Sequence, residues 1–516
     1  MNGSELRKAL FEEILQARQR VYRVGKPTPL QKLPISDVDF EVWAKREDLG
    51  PIKAYKWRGA FNAMASLSEA ERSTGIVAAS AGNHAQGVAL AAKTLGCEAR
   101  IFMPRSTPSV KQREVKRHGG KWVEIVLYGD SYDDASAEAK EWTKKSGATY
   151  IHPYDDLKVM GGQGTLADEI VMSGKGPFDR VYIAIGGGGL VSATAVWLKH
   201  HWPDIKVVGV EGVDQASMKF AIESGQPKSL DYVDVFCDGT AVRQVGENTF
   251  AVAKDLIDEV VTVTNDEVCN AIRATWDSCR AVPEPSGGMP LAGVLKDADE
   301  GKIGKGEKVL VIVCGANMDF AQLGAIARRA GIGSRQQRFL RIPVPEGKGS
   351  LVSLLRELPE EISIIDVQYG RTHEQVQYPI LGLRGSVTDF AQMDAFLSER
   401  GVAAEDVTHS EDAGFRIINY APELFQHPIF VNIEFPERAR AFTDFMLQIS
   451  EWASLCYFNY AYSGERVGRA LIGMEFESVE EKSACLDKIN AMVGDQIRAC
   501  KQVSPETLRR LTGGIH

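Results

Sequence analysis

Residues 44–62 read AKREDLGPIKAYKWRGAFN, and the rest of the chain falls into place around them. A short apolar strand at 40–43 delivers the charged residues 45–48. A Gly-Pro turn follows. Two lysines, Lys53 and Lys56, then stand just ahead of Trp-Arg-Gly-Ala, where a helical run through Ala60, Met64 and Leu67 begins. A lysine is ordinarily a surface residue, and either of these, read alone, would be one. Three distant stretches change that. Residues 80–87 read SAGNHAQG, 186–189 are consecutive glycines after an apolar strand, and 313–317 read VCGAN.

Outward from these stretches the chain alternates strand and helix. After an N-terminal helix at 6–24 and a proline-rich loop at 26–33, apolar strands are predicted at 75–79, 99–103, 122–127, 150–152, 180–185, 205–210 and 309–313. Helices are predicted between them, including 104–117 and 132–145, and a glycine turn at 161–164. Such alternation predicts an α/β fold with parallel sheets covered by helices on both faces. Ligands in these sheets sit at the carboxyl ends of strands. Ser80, Gly186 and Cys314 each lie just past such an end.

The residue types at those ends have a common chemistry. Four glycines ahead of a helix let backbone amides and the helix dipole close on an anion, and the absence of a following Lys-Ser/Thr excludes a Walker loop. The Ser-Ala-Gly-Asn helix start offers amides to a carboxylate, and Asn83 can bond a phenolic oxygen on a cofactor ring. His84 reads as a packing residue rather than a general base. Cys314 suits a weak partner for a pyridine nitrogen, one that would not protonate it. Glu284 lies in a VPEPSGG loop near the substrate, and Glu211, Asp238 and Gly239 lie in loops where a cation could bind. A nucleophilic lysine together with these ends looks like a site for pyridoxal 5'-phosphate, an aldehyde that a lysine can hold as a Schiff base.

Composition narrows the class. At 516 residues the chain exceeds one ordinary core, and two to four domains are expected. With 44% hydrophobic and 25% charged residues it is globular, and a net charge of −9 without a basic stripe argues against nucleic acid or an anionic membrane as partner. No apolar run reaches the roughly 20 residues of a membrane span, and the N-terminal helix carries acids instead of a secretory core. The cysteines at 97, 237, 269, 279, 314, 456, 485 and 500 form no CxxC pair and no Cys/His cluster. No metal site and no disulfide frame are therefore expected, and the reducing cytoplasm is the expected compartment.

Beyond Asn317 the pattern changes. Residues 327–341, ARRAGIGSRQQRFLR, read as a basic linker region. Two similar stretches follow, headed by Pro345 and Pro436, at an offset of 91. The same offset aligns Leu351 with Phe442, Leu354 with Phe445, Tyr369 with Tyr460, Val376 with Val467 and Gly382 with Gly473. A constant register over these positions marks an internal repeat of two ferredoxin-like α/β sandwiches. The expected boundaries are 1–326, a linker at 327–337, and repeat units at 338–412 and 426–516.

Taken together, these motifs resemble those of the tryptophan-synthase-β-like (fold type II) pyridoxal-phosphate enzymes and, within them, the serine/threonine dehydratases. The resemblance implies a two-lobed catalytic fold and places the Schiff base on Lys56. It implies that Asn83 meets the cofactor ring, and that Gly186, Gly187, Gly188, Gly189 and Leu190 hold its phosphate. Cys314 then faces the ring nitrogen, and Ser80, Ala81, Gly82, Asn83 and His84 cradle the substrate carboxylate. The repeated tail resembles the ACT-like regulatory tandem of biosynthetic threonine dehydratases. That implies β-elimination from L-threonine, with L-serine as the close alternative, in a homotetramer inhibited by isoleucine and relieved by valine, with Tyr369 and Tyr460 as candidate effector contacts. Competing readings are a catabolic dehydratase or serine racemase on the same scaffold, and a non-catalytic amino-acid sensor. Two departures stand out. Ala54-Tyr55 precedes the lysine where the family commonly has Ser/Thr-Phe, and 438–441 replaces the glycine-bearing turn at 347–349.

Overall fold

The apolar runs pair as their alternation predicts. The computed structural model describes the chain apart from residues 1, 346–352, 354, 356, 357, 360, 437–440, 451, 462–466, 494, 495, 498 and 513–516. It divides into two units, Met1–Gly333 and Ser334–His516. The first unit holds β1 (Leu30–Leu33), β2 (Glu41–Arg46), β3 (Ile76–Ala79), β4 (Ala99–Met103), β5 (Val123–Leu127), β6 (Thr149–Tyr150), β7 (Arg180–Ala184), β8 (Lys206–Gly212), β9 (Glu259–Val263) and β10 (Lys308–Val313). One sheet runs β1-β2-β10-β7-β8-β9 and the other β5-β4-β3-β6. All pairings are parallel except β1 with β2. Every residue of β3 and β7 is buried, as continuous apolar strands covered on both faces must be. This is the two-lobed α/β architecture expected.

The glycine turn expected at 161–164 is instead the interior of the helix Leu157–Met172. Its glycines are there for packing. A Cβ on Gly162 would stand 2.5 Å from the Arg58 carbonyl oxygen and 2.7 Å from Cα of Gly59, one on Gly161 would meet Glu13, and one on Gly164 would meet Ile14. The helix Trp57–Ser66, which starts at the lysine turn, crosses this helix glycine on glycine.

The region 327–341, expected as a linker, is also regular. The helix Gln322–Gly333 buries Ile326 and Ala330, and its last glycine lies against Asp266, where a Cβ would come within 1.9 Å of the carbonyl oxygen. β11 follows directly. Its basic residues had masked an apolar helical face.

The second unit holds β11 (Gln337–Arg341), β12 (Val344–Pro345), β13 (Ser363–Gly370), β14 (Val376–Gln377), β15 (Ile380–Arg384), β16 (Glu405–Asp406), β17 (Ile429–Pro436), β18 (Ser454–Ala461), β19 (Val467–Glu475) and β20 (Ala499–Gln502). Eight of these form one sheet in the order β16-β11-β15-β13-β18-β19-β17-β20. Under the repeat, β11, β13, β15 and β16 correspond to β17, β18, β19 and β20, so the order is a palindrome. At its centre β13 pairs antiparallel with β18, and Gln368 lies opposite Asn459, its own equivalent at the offset of 91. The two ferredoxin-like halves are thus joined edge to edge about a local two-fold. The helices Val387–Glu399, Ala441–Ile449 and Val479–Ala491 lend Phe390, Phe445 and Ile489 to a single core with Val367, Phe458 and Ile472 of the sheet. Leu351, Leu354, Gly347–Gly349 and most of 438–441 lie outside the described residues. Among the described residues no helix is long and apolar enough to cross a membrane.

Candidate active site

The lysine turn is zipped to the end of β10. Ala54 bridges Gly315, Tyr55 N–H donates to the Cys314 carbonyl at 3.0 Å, and Ala316 N–H donates to the Lys53 carbonyl at 2.8 Å. Lys53 turns the chain in the left-handed region, with φ 58°, and its side chain is exposed. Lys56, half-buried, caps the helix Trp57–Ser66, and its Nζ donates to the Pro153 carbonyl at 3.0 Å. Burial lowers its amine from 10.5 to about 8, partly offset by the nearby Cys314 and Glu284. Among the described residues no carboxylate pairs with it. An amine so placed is partly neutral near neutral pH, as a nucleophile or proton acceptor must be.

Two residues on, Arg58 fixes the first turn of that helix. Its buried guanidinium donates to Glu47 at 2.8 and 2.9 Å and to Glu169 at 2.6 and 3.0 Å, and Lys45 completes the group by contacts to Glu169 and the Thr28 carbonyl. Two cations and two anions from β2, the turn after it and two helices are fully paired, the condition under which buried charge is tolerated.

The glycine loop follows β7. Gly187, Gly188, Gly189 and Leu190 are buried and Gly186 half-buried. Among the described residues none of their five amides has an acceptor. Consecutive buried amides without partners, at the start of the helix Gly189–His201, are built for an anion. Gly188 has φ 93°, a conformation that favours glycine.

The SAGNH stretch follows β3 on the other lobe and opens the helix Asn83–Leu95. Gly82 N–H bonds Ser80 Oγ at 3.2 Å, whereas the amides of Ala81, Asn83 and His84 have no acceptor among the described residues. Amides so left at a helix start are open to a second anion. His84 Nε2 donates to the Ile151 carbonyl at 3.0 Å, and burial lowers its pKa to about 3, leaving a neutral ring, in keeping with a packing histidine.

Asn83, Glu284 and Asn317 form a ring of hydrogen bonds that sequence reading missed. Asn83 Nδ2 donates to Glu284 Oε1 at 2.8 Å, Asn317 Nδ2 to Asn83 Oδ1 at 2.8 Å, and Asn317 N–H to Glu284 Oε2 at 2.9 Å. The ring fixes the Asn83 amide and leaves one Nδ2 proton for a ligand. Burial and Asp238 raise the Glu284 carboxyl to about 8. Cys314 is buried, its thiol donates to the Ser286 carbonyl at 3.3 Å, and burial pushes its pKa well up, so it is a neutral thiol.

The cation candidates are engaged within the protein. Glu211 caps the helix Ser217–Ser224, accepting from Met218 N–H at 2.8 Å and Lys219 N–H at 2.9 Å. Asp238 pairs with Lys111, and Gly239 lies against Ser286. Among the described residues no group of acids, histidines or cysteines is placed to hold a metal. In the second unit, Tyr369 and Tyr460 lie diagonally on one face of the central pair, opposite Phe458 and Val367. Tyr460 is 6% exposed and stacks on Phe442 at 5.1 Å, while Tyr369 is half-buried.

The parts match pyridoxal phosphate in kind: an amine for its aldehyde, unpartnered amides for its phosphate, and a neutral thiol and an amide for its ring. A family model described as pyridoxal-phosphate dependent enzyme matches residues 21–315. The chain is 35% identical over 479 residues to the biosynthetic L-threonine dehydratase of Haemophilus influenzae, covering 91% of each chain. It is 37% identical over 477 residues to the mitochondrial threonine dehydratase of Schizosaccharomyces pombe, covering 91% of this chain and 79% of that one. Among solved structures, the processed form of threonine deaminase isoform 2 from Solanum lycopersicum has a TM-score of 0.59 at 40% identity over 62% of this chain and 93% of that one. Maize serine racemase has a TM-score of 0.57 at 29% identity over 62% and 96%. The chain belongs to the pyridoxal-phosphate dependent enzymes, in the family of the biosynthetic threonine dehydratases.

Proposed function

We propose that this protein eliminates water from L-threonine and releases 2-oxobutanoate and ammonia, the entry step of isoleucine biosynthesis. The observation that carries the chemistry is the Lys56 amine, brought to about 8, with no carboxylate paired to it among the described residues, on a turn zipped to the Cys314 strand end. Bound pyridoxal phosphate supplies a carbonyl for the substrate amine and a ring that draws the electron pair from Cα. Lys56 holds the cofactor, and its freed Nζ takes the Cα proton. The amides of Ala81, Asn83 and His84 hold the substrate carboxylate, which aligns the Cα–H bond for that transfer. Gly186–Leu190 amides hold the phosphate, and Asn83 bonds the ring oxygen. Cys314, a neutral thiol, leaves the ring nitrogen unprotonated, which favours elimination over transamination. Hydroxide leaves Cβ and is protonated to water, and the released enamine takes up water to give the oxo acid and ammonia.

The likeness to threonine dehydratases through 91% of both chains supports threonine as substrate, because it includes the second unit. We assign the second unit to isoleucine inhibition opposed by valine, with Tyr369 and Tyr460 as effector contacts, in a cytoplasmic homotetramer. Lys56→Ala is expected to abolish both the visible absorbance of the bound cofactor and 2-oxobutanoate formation, and retained turnover rejects the assignment. A threonine saturation curve that isoleucine leaves unmoved removes the regulatory part.

A further inference from the structure

Three consecutive residues after β6 touch both ends of the site. The Pro153 carbonyl accepts from Lys56 Nζ at 3.0 Å. The Tyr154 ring fills the space beside the glycine loop: a Cβ on Gly187 would stand 2.2 Å from its Cγ, and one on Gly189 would stand 3.0 Å from the Tyr154 carbonyl oxygen. Asp155 Oδ1 accepts from Thr249 N–H at 3.0 Å. Thr249 carries the contact onward. Its hydroxyl lies 2.7 Å from the Gly187 carbonyl oxygen and 3.0 Å from that of Gly246, and the nearer one also receives Gly246 N–H at 3.2 Å. In a planar trans peptide the carbonyl and the next amide point opposite ways. Holding the Gly187 carbonyl on the Thr249 side therefore aims Gly188 N–H to the other side. Ser192 treats the next peptide alike, its amide and hydroxyl reaching the Gly188 carbonyl at 3.0 and 2.8 Å.

We propose that residues 153–155 are a bracket setting the interval between the Lys56 amine and the anion cradle, and that Thr249 is the positioning residue through which the bracket aims the cradle's amides. The inference rests on the reading of 186–190 as the phosphate loop and assigns what orients it. Glycines have no side chains to hold their peptides in place, so the orientation is imposed through their carbonyls. A bracket of this kind acts on the phosphorylated cofactor and not on pyridoxal, which lacks the anionic end.

The test uses the full-length protein stripped of cofactor and titrated with pyridoxal phosphate and, separately, with pyridoxal, following the absorbance of the lysine-linked species and, for the phosphate, its phosphorus resonance. Thr249→Val removes one hydrogen bond and is expected to weaken pyridoxal phosphate about tenfold, to shift the phosphorus resonance, and to leave pyridoxal unchanged. Thr249→Ser restores both signals, and Asp155→Ala reproduces the selective loss. Equal weakening of both ligands, no weakening of either, or a serine variant as impaired as the valine one overturns the proposal. Should Thr249→Val not fold, the Asp155→Ala titrations decide by the same criteria. A parent protein that binds pyridoxal as tightly as pyridoxal phosphate defeats the phosphate-loop reading itself, a result distinct from any difference between variants.

Discussion

Lys56 and Glu284 titrate in opposite senses against folding. The folded lysine loses its proton near 8, against 10.5 when unfolded, so across that interval the unfolded chain binds more protons. Its burial penalty is full below pH 8 and fades as pH rises. Glu284 is raised from 4.5 to about 8, so there the folded chain binds more protons and stability falls as pH rises through that window. Glu284→Gln is expected to flatten the pH dependence of the thermal midpoint of the cofactor-free protein between 4.5 and about 8. Competitive acylation of that protein should find Lys56 with a midpoint near 8, against the ordinary 10.5, by mass spectrometry of the labelled peptide. Arg58→Met leaves Glu47 and Glu169 without their guanidinium and is expected to cost about 3–5 kcal/mol, read from denaturant unfolding.

At the scale of elements, the crossing of the helices Trp57–Ser66 and Leu157–Met172 depends on hydrogen atoms at Gly59 and Gly162. Gly162→Ala forces the helices apart and is expected to destabilise by about 1–3 kcal/mol, with a lowered thermal midpoint and a displaced lysine turn that reduces turnover. This crossing also shows why part of the chain was illegible. Glycine in a sequence signals a turn, and only the facing helix reveals that 161–164 are helical for close approach. The strand ends were legible because their chemistry is local: a glycine run, a small-residue helix start and a lysine before an apolar helix each declare themselves within a few residues. Tyr154, Asp155 and Thr249 do not. They are ordinary residue types whose contacts span up to 94 residues, and no nearby pattern marks them. Glu284 lay in between, visible as a loop acid but not as the partner of Asn83.

For the whole molecule, the repeat announced two similar bodies, but not that they share one sheet, because edge pairing between copies leaves no periodic mark. Arg416, at φ 56°, ties that seam from the face opposite the helices, donating to Asp366, to Asn459 and to the Tyr460 carbonyl. Arg416→Ala strands the half-buried network and is expected to lower the stability of the second unit by about 1–3 kcal/mol, seen as a shifted calorimetric transition, with effector-free turnover unchanged and the isoleucine response weakened. The seam has a wider meaning. Where a dyad relates two identical chains, any residue on the axis must tolerate its own image. Here both sides are encoded in one gene, and Gln368 faces an asparagine. Duplication followed by fusion thus lifts the demand for self-complementarity, so each half is free to change alone and the two can come to answer different small molecules.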